Sequence, residues 1–414
     1  MTDATDAKLA AQYEAYPYPK RDPREEAKRL IVGSPGHLRE IDHWVFGATR
    51  SVGTPLRALI AGGGTGDATI MLAQQMARAN RPGSVTWLDR STGALRVAQE
   101  RASVRGLTNI VWEQRSLLDL PGSGLGPFDY IDCCGVLHHL PDPAAGLRAL
   151  TSVLAPGGGI GLMVYAPHGR TGVYMLQDAL RLLAPEDEAP PARIETARRV
   201  LRHLPETAWF RFNRNFQDHI SGGDAGVFDL LLNPRDRAYT VPQLAALLAT
   251  AGLEATAWME PLRYDPLPLL PDPRLRARAE ALDPTARAAL AEALAGNMCV
   301  HVLYCRRTTE PVTRADPRNP EAIPVGREMP GPEMPRFLQP DGTLPLLMDG
   351  LRMPVRLPAL APAILSLADG TNSVGTIAAT LEARGTPPAT FARAWPETFH
   401  ALEHANRLLL VPPG

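Results

Sequence analysis

Glycine recurs at alternate positions in Leu59-Ile60-Ala61-Gly62-Gly63-Gly64-Thr65-Gly66-Asp67, after the apolar run Leu56 to Ala61 and before a helical pattern, Ala68-Thr69-Ile70-Met71-Leu72-Ala73. Glycines there let a backbone turn sharply and approach a ligand with no Cβ in the way. Strand, glycine loop and helix make the opening βα unit of a nucleotide-binding sheet. The spacing is GxGxG, not the GxGxxG of a dinucleotide fingerprint. Asp67 also puts an acid at the helix start, where it would repel phosphate. No GK[ST] follows, so a P-loop is not expected. Asp89 ends the next strand pattern about two dozen residues past the loop, where a carboxylate can accept both hydroxyls of a ribose.

The elements that must position these residues alternate. Strand patterns at Leu56–Ala61, Ser84–Leu88, Ile110–Glu113, Tyr130–Cys134 and Ile160–Tyr165 are separated by helical patterns near 67–79, 92–105 and 143–154. Such alternation predicts an α/β fold, a doubly wound, mostly parallel sheet with helices on both faces. Thr240-Val241-Pro242 starts a further helix, a cap followed by an early proline. Strand patterns at 253–259 and 298–306 flank a helix at 284–294 and complete a seven-stranded sheet. Residues 1–54 read as a lid with short leading helices, and 55–310 as the main domain with a helical insert at about 170–240. A proline-rich linker covers 311–336. Residues 337–414 read as a small α+β domain with short strands around Asp349-Gly350, then two or three helices.

The length, 414 residues, predicts two domains or one large domain with an appendage. With 43 basic and 44 acidic residues, nothing suggests a surface built to neutralise nucleic-acid phosphates. Four cysteines make no disulfide framework, and no Cys/His cluster has zinc spacing, so no metal is expected. The acidic start, Met1-Thr2-Asp3-Ala4-Thr5-Asp6, is no signal peptide, and no 18-residue apolar run exists. A cytoplasmic protein without a membrane partner is the expectation.

The glycine loop and Asp89, with Phe128-Asp129-Tyr130-Ile131, Val136-Leu137-His138-His139-Leu140-Pro141-Asp142-Pro143 and Val153-Leu154-Ala155-Pro156-Gly157-Gly158, resemble the class I S-adenosylmethionine-dependent methyltransferases. The likeness covers about residues 55–165 and extends to Tyr239–Leu253. Tyr13-Glu14-Ala15-Tyr16-Pro17-Tyr18-Pro19 is similar to the YPYP segment of a bacterial subset, which Gly169-Arg170 and Asp229-Leu230-Leu231 also match. The resemblance implies a Rossmann-like fold and S-adenosylmethionine held by Gly62, Gly64, Gly66 and Asp89. It further implies Ser116 and the Leu117 N–H at the adenine, Gly135 backbone at the methionine amine, and Tyr13 and Tyr16 closing over the methionine end. Two positions depart from the pattern. Ile60 stands where the family often has an acid that reaches the methionine amine through the loop, and Ser116 stands where an Asp commonly meets the adenine amino group.

That likeness implies in-line methyl transfer to an O, N or C nucleophile, with His138, His139 and Tyr165 at the sheet's carboxyl edge as candidate bases. A His-His pair here also recurs in the family with packing or capping roles. His43 and Trp44 are further candidates to line the pocket. The insert, with Arg211, Arg214, Asp218, His219 and Asp224 among Trp209, Phe210, Phe212 and Phe216, would form the acceptor side, although such aromatics serve a core equally well. The segments Ile364–Gly370 and Val374–Ala378 weakly resemble small PqqD-like, winged-helix-type domains that bind peptides. That reading makes the C-terminal domain a carrier for a peptide or protein acceptor; a packing or homodimer module is the other. Small-molecule acceptors stay open. So do an NAD(P)-dependent Rossmann oxidoreductase, which GxGxG disfavours, and a non-catalytic S-adenosylmethionine-binding protein, which Ile60 and Ser116 favour.

Overall fold

The structure is a computed structural model that describes residues 14, 19–216 and 218–412. Seven strands form one sheet: β1 (Leu56–Ala61), β2 (Gly83–Asp89), β3 (Ile110–Gln114), β4 (Phe128–Cys134), β5 (Leu154–Tyr165), β6 (Leu253–Trp258) and β7 (Val300–Arg307). Their order is β3-β2-β1-β4-β5-β7-β6, all parallel except β7, which runs antiparallel to both its neighbours. The chain reverses its direction of strand addition between β1 and β4. Ligands of open α/β sheets bind at that switch point, outside the strands' carboxyl ends. This is the doubly wound, mostly parallel sheet expected from the alternation.

Each strand feeds both faces. Leu59, Ala61, Ile131, Cys133, Leu162 and Val164 pack into one core, while Ala58, Ile60, Tyr130 and Tyr304 pack into the other. Strand alternation sends odd and even positions to opposite sides. The helix Thr92–Val104 is capped by Ser91, whose hydroxyl accepts from Ala94 N–H, and Pro143–Ser152 by Asp142, which accepts from Ala145 N–H. Thr240 and Gln243 form a reciprocal capping box for Val241–Ala249. β5 begins six residues earlier than its apolar pattern suggests. Ala155-Pro156-Gly157-Gly158 bulges between the pairs Phe128–Leu154 and Tyr130–Gly159, with Gly157 at a φ of +69°, which is where Pro and Gly are tolerated in a sheet.

Within the proline-rich stretch, β8 (Ile323–Gly326) forms a strand. Four two-residue strands follow: β9 (Thr343–Leu344), β10 (Leu347–Met348), β11 (Leu351–Arg352) and β12 (Val355–Arg356). β13 (Leu408–Val411) returns to pair antiparallel with β8. Asp349 and Gly350, both at positive φ, make the tight β10–β11 turn. The helices Ala361–Leu365, Val374–Ala383 and Pro388–His404 close a core around Ile364, Trp395 and Phe399 that also includes Ala48 and Leu262 of the larger domain. Among the described residues no helix is long and apolar enough to cross a membrane.

Candidate functional site

A crevice of about 890 Å³ opens at the carboxyl ends of β1, β2, β4 and β5. Its near wall is the glycine loop, where Gly62, Gly64 and Gly66 hold φ values of +81°, +47° and +102°. These are left-handed conformations that side chains resist. Gly63 has an ordinary φ but is needed for space, since a Cβ there would lie 2.2 Å from the Trp87 ring. Alternate spacing in the sequence gave no sign of that requirement. A Cβ on Gly62 would likewise meet Val136, so the loops after β1 and β4 interlock.

Asp89 braces this wall. Its Oδ2 accepts from Gly64 N–H at 2.8 Å and its Oδ1 from Ser91 N–H at 3.0 Å, while Trp87 Nε1 donates to Gly64 O at 3.0 Å. Asp67 is not a bare acid at the helix start. Arg21 and Arg101 both pair with it, at 2.6 and 2.7 Å, and Arg101 also bonds Glu26. Burial would raise the Asp67 acid, but the two guanidiniums outweigh it and hold the carboxyl below its usual value. The repulsion of phosphate expected from Asp67 is therefore largely neutralised. The GxGxG geometry remains the argument against a dinucleotide.

Glu14 and the segment from Pro19 to Arg21 touch the rim of the crevice. Glu14 accepts from Ser91 Oγ at 2.9 Å and Gly93 N–H at 3.2 Å, Pro19 O accepts from Thr65 Oγ1 at 2.8 Å, and Arg21 holds Asp67. Glu14, Pro19 and Arg21 line the crevice. Tyr13 and Tyr16 lie outside the described residues. On the far wall, Ser116 caps the short turn Leu117–Asp119, its hydroxyl accepting from Leu118 N–H. Ser116, Leu117 and Gly135 all line the crevice, and Gly135 N–H donates to Met163 O at 3.1 Å.

The two histidines part company. His138 is fully buried and does not line the crevice; its ring lies 4.0 Å from the Tyr165 ring. Both its nitrogens lack hydrogen-bond partners, and burial drives its pKa well below the usual value, so it packs as a neutral ring. His139 does line the crevice, with Nδ1 2.6 Å from Arg235 O. A carbonyl can only accept, so Nδ1 is the donor here, and in the neutral ring the lone pair sits on Nε2. Tyr165 also faces the crevice. Its hydroxyl is 3.4 Å from Asp229 Oδ2, and its ring stacks 3.8 Å beneath the Arg170 guanidinium. Arg170 is held by Asp236 at 2.9 Å.

Asp229, Arg170, Cys134, Cys299 and Asp132 complete this end; Arg170 and Asp229 lie in segments that match the bacterial subset without a site role assigned to them, and the other three carried no site signal in the sequence. Strand alternation turns Cys134 to the crevice while its neighbour Cys133 is buried in the core. Burial lifts the Cys134 thiol well above the usual value and that of Cys299 to about 11, so neither is a thiolate at neutral pH. Phe216 lines the crevice, Phe210 is core, and Trp209 and Phe212 are exposed. His43 and Trp44 do not line the crevice. His43 Nε2 donates to Glu403 at 2.8 Å, and Trp44 Nε1 to Asn406 Oδ1 at 3.0 Å, both joining the C-terminal domain.

Residues 59–160 match the family described as "Methyltransferase domain". The chain is 32% identical over 272 residues to an uncharacterized protein of Synechococcus sp., covering 64% of this chain and 63% of that protein. It is 38% identical over 88 residues to a ubiquinone biosynthesis O-methyltransferase of Albidiferax ferrireducens, 21% of this chain and 34% of that one. The chain thus spans less than two thirds of either curated relative. In fold it is similar to PKMT2 from Rickettsia typhi in complex with AdoHcy, with a TM-score of 0.63 and 16% identity, over 91% of this chain and 75% of that one.

Proposed function

We propose that this chain, a class I methyltransferase fold with the family's domain signature at residues 59–160, moves a methyl group from S-adenosylmethionine to an O, N or C nucleophile of a small molecule or a peptide or protein. The observation that carries the reading is the crevice wall, where three left-handed glycines and Asp89 face the switch point of the sheet. A nucleoside fits that wall. The Asp89 carboxylate keeps lone pairs for ribose hydroxyls beyond those its two N–H donors use. Bound there, S-adenosylmethionine supplies a methyl group activated by its sulfonium. The glycine loop, Gly135 and Ser116 orient it, and Glu14, Pro19 and Arg21 hold the N-terminal arm that excludes water, with Tyr13 and Tyr16 closing over the methionine end. His139 Nε2 takes the proton of an O–H or N–H acceptor, and Tyr165, steadied by Asp229 and Arg170, shapes the acceptor end. The β10–β11 hairpin docks on Asn297, whose Nδ2 donates to Met348 O at 2.9 Å, two residues from crevice-lining Cys299. That contact supports a C-terminal domain that presents the acceptor.

Calorimetric titration with S-adenosylmethionine, S-adenosylhomocysteine and NAD is the first test; binding of NAD alone would overturn the reading. Lysate from a strain lacking the gene, incubated with the protein and labelled methyl donor, then identifies the acceptor. With that acceptor, His139→Gln is expected to slow methyl transfer about 10²-fold while donor affinity holds. A loss under about threefold would place the base elsewhere. Arg21→Ala, by freeing the arm from Asp67, should speed S-adenosylhomocysteine release about 3- to 10-fold in stopped flow, the equivalent of one partly exposed charged hydrogen bond. An unchanged off-rate would mean that the arm does not gate the crevice.

A further inference from the structure

The methionine end of S-adenosylmethionine carries an ammonium group, and the methyltransferases that this chain resembles often meet it with an acid at the position that Ile60 occupies here. The structure puts a carboxylate beside that gap. Ile60 is paired in register with Asp132 of β4, and parallel partners point to the same face of the sheet. Both residues line the crevice. Asp132 is fully buried; its Oδ2 receives the Tyr130 hydroxyl at 3.1 Å, the Cys134 backbone N–H adds a weaker stabilising contact to the carboxylate, and Oδ1 makes no hydrogen bond of full geometry. A carboxylate at nil exposure that is satisfied only in part is costly, and it calls for a cation.

The other acids of the crevice are committed. Asp67 is paired with two arginines, Asp89 with two loop N–H groups, Glu14 with Ser91 and Gly93, and Asp229 lies with Tyr165 at the acceptor end. We propose that Asp132 holds the α-ammonium of the methionine end, so that the acid missing from β1 is supplied by the neighbouring strand. This rests on the S-adenosylmethionine reading above. Burial keeps the Asp132 acid at about 7 when no cation faces it, and the arriving ammonium stabilises its ionised form.

The test titrates wild type, Asp132→Asn and Tyr130→Phe with S-adenosylhomocysteine and with its analogue lacking the α-amino group, each variant first checked for an unchanged far-UV spectrum and melting midpoint. Wild type should prefer the amine-bearing ligand by about 10- to 100-fold, the range of a charge-assisted hydrogen bond in a dry site. Asp132→Asn should lose that preference by weakening only the amine-bearing ligand. Tyr130→Phe, which keeps the carboxylate, should retain it. Equal weakening of both ligands in Asp132→Asn would show a structural role and overturn the assignment. So would a wild type indifferent to the amine, a measurement that needs no variant. A wild type that binds neither ligand would overturn the cofactor reading itself, and this assignment with it.

Discussion

Replacing Asp89 by alanine is expected to weaken S-adenosylhomocysteine binding by about 30- to 1000-fold, on the order of 2–4 kcal/mol, because two losses coincide. The ribose hydroxyls lose a charged acceptor. The glycine loop also loses its brace, since Gly64 N–H is left without Asp89 Oδ2 and Ser91 N–H without Oδ1. The two contributions separate with Asp89→Asn, whose amide oxygen can still accept from one loop N–H while the charge is gone. The asparagine should recover part of the loss. Calorimetry on both variants decides it; an affinity within threefold of wild type for Asp89→Ala would place the ribose on another residue.

The second large effect lies away from the crevice. Glu40 has no exposed surface, yet its carboxylate joins four separate segments. Oε1 accepts from Ser34 Oγ at 2.7 Å, from Asn406 Nδ2 at 2.6 Å and from Arg327 Nε; Oε2 accepts from the Tyr304 hydroxyl at 2.8 Å. Arg327 follows β8 and Asn406 precedes β13, so this carboxylate ties the C-terminal domain to β7 and to the segment leading into β1. Glu40→Ala strips the buried Asn406 amide and Tyr304 hydroxyl of their shared acceptor and leaves Arg327 with the exposed Glu328 as its acid partner, at about 1–3 kcal/mol for each orphaned buried group. Urea unfolding should show that loss, and limited proteolysis should cut the proline-rich stretch sooner as the domain comes away. A loss under about 1 kcal/mol would put the pair in the range of surface ion pairs and make apolar packing around Ala48 and Leu262 the main attachment.

Much of the frame was legible in the sequence because its signals are local. An apolar run, a glycine turn and a capped helix are each decided within about a dozen residues, and their alternation leaves few topologies for a parallel sheet. The glycine loop and Asp89 were found for the same reason, at the ends of adjacent strands. Where local signals conflicted, only pairing settled them. Ala155–Gly159 carries turn residues, yet β5 begins before them at Leu154, because Leu154 pairs with Phe128 across the irregularity.

The choice among the crevice residues was not local. His138 and His139 are neighbours in a single 3₁₀ turn, which sends successive side chains in different directions, so the sequence could not say which one sees the ligand. Asp132 reads as one polar residue in a buried strand until the register of β1 with β4 sets it beside Ile60. Asp229 meets Tyr165 across 64 residues, and Glu40 meets Asn406 across 366. The sequence by itself determined the alternating strands and helices and the glycine loop that ends β1, since these follow from periodicity and turn chemistry. Tertiary structure alone decided which acids are already paired, which is left open and how the C-terminal domain is attached, because a charge becomes available or spent only through partners distant in the chain.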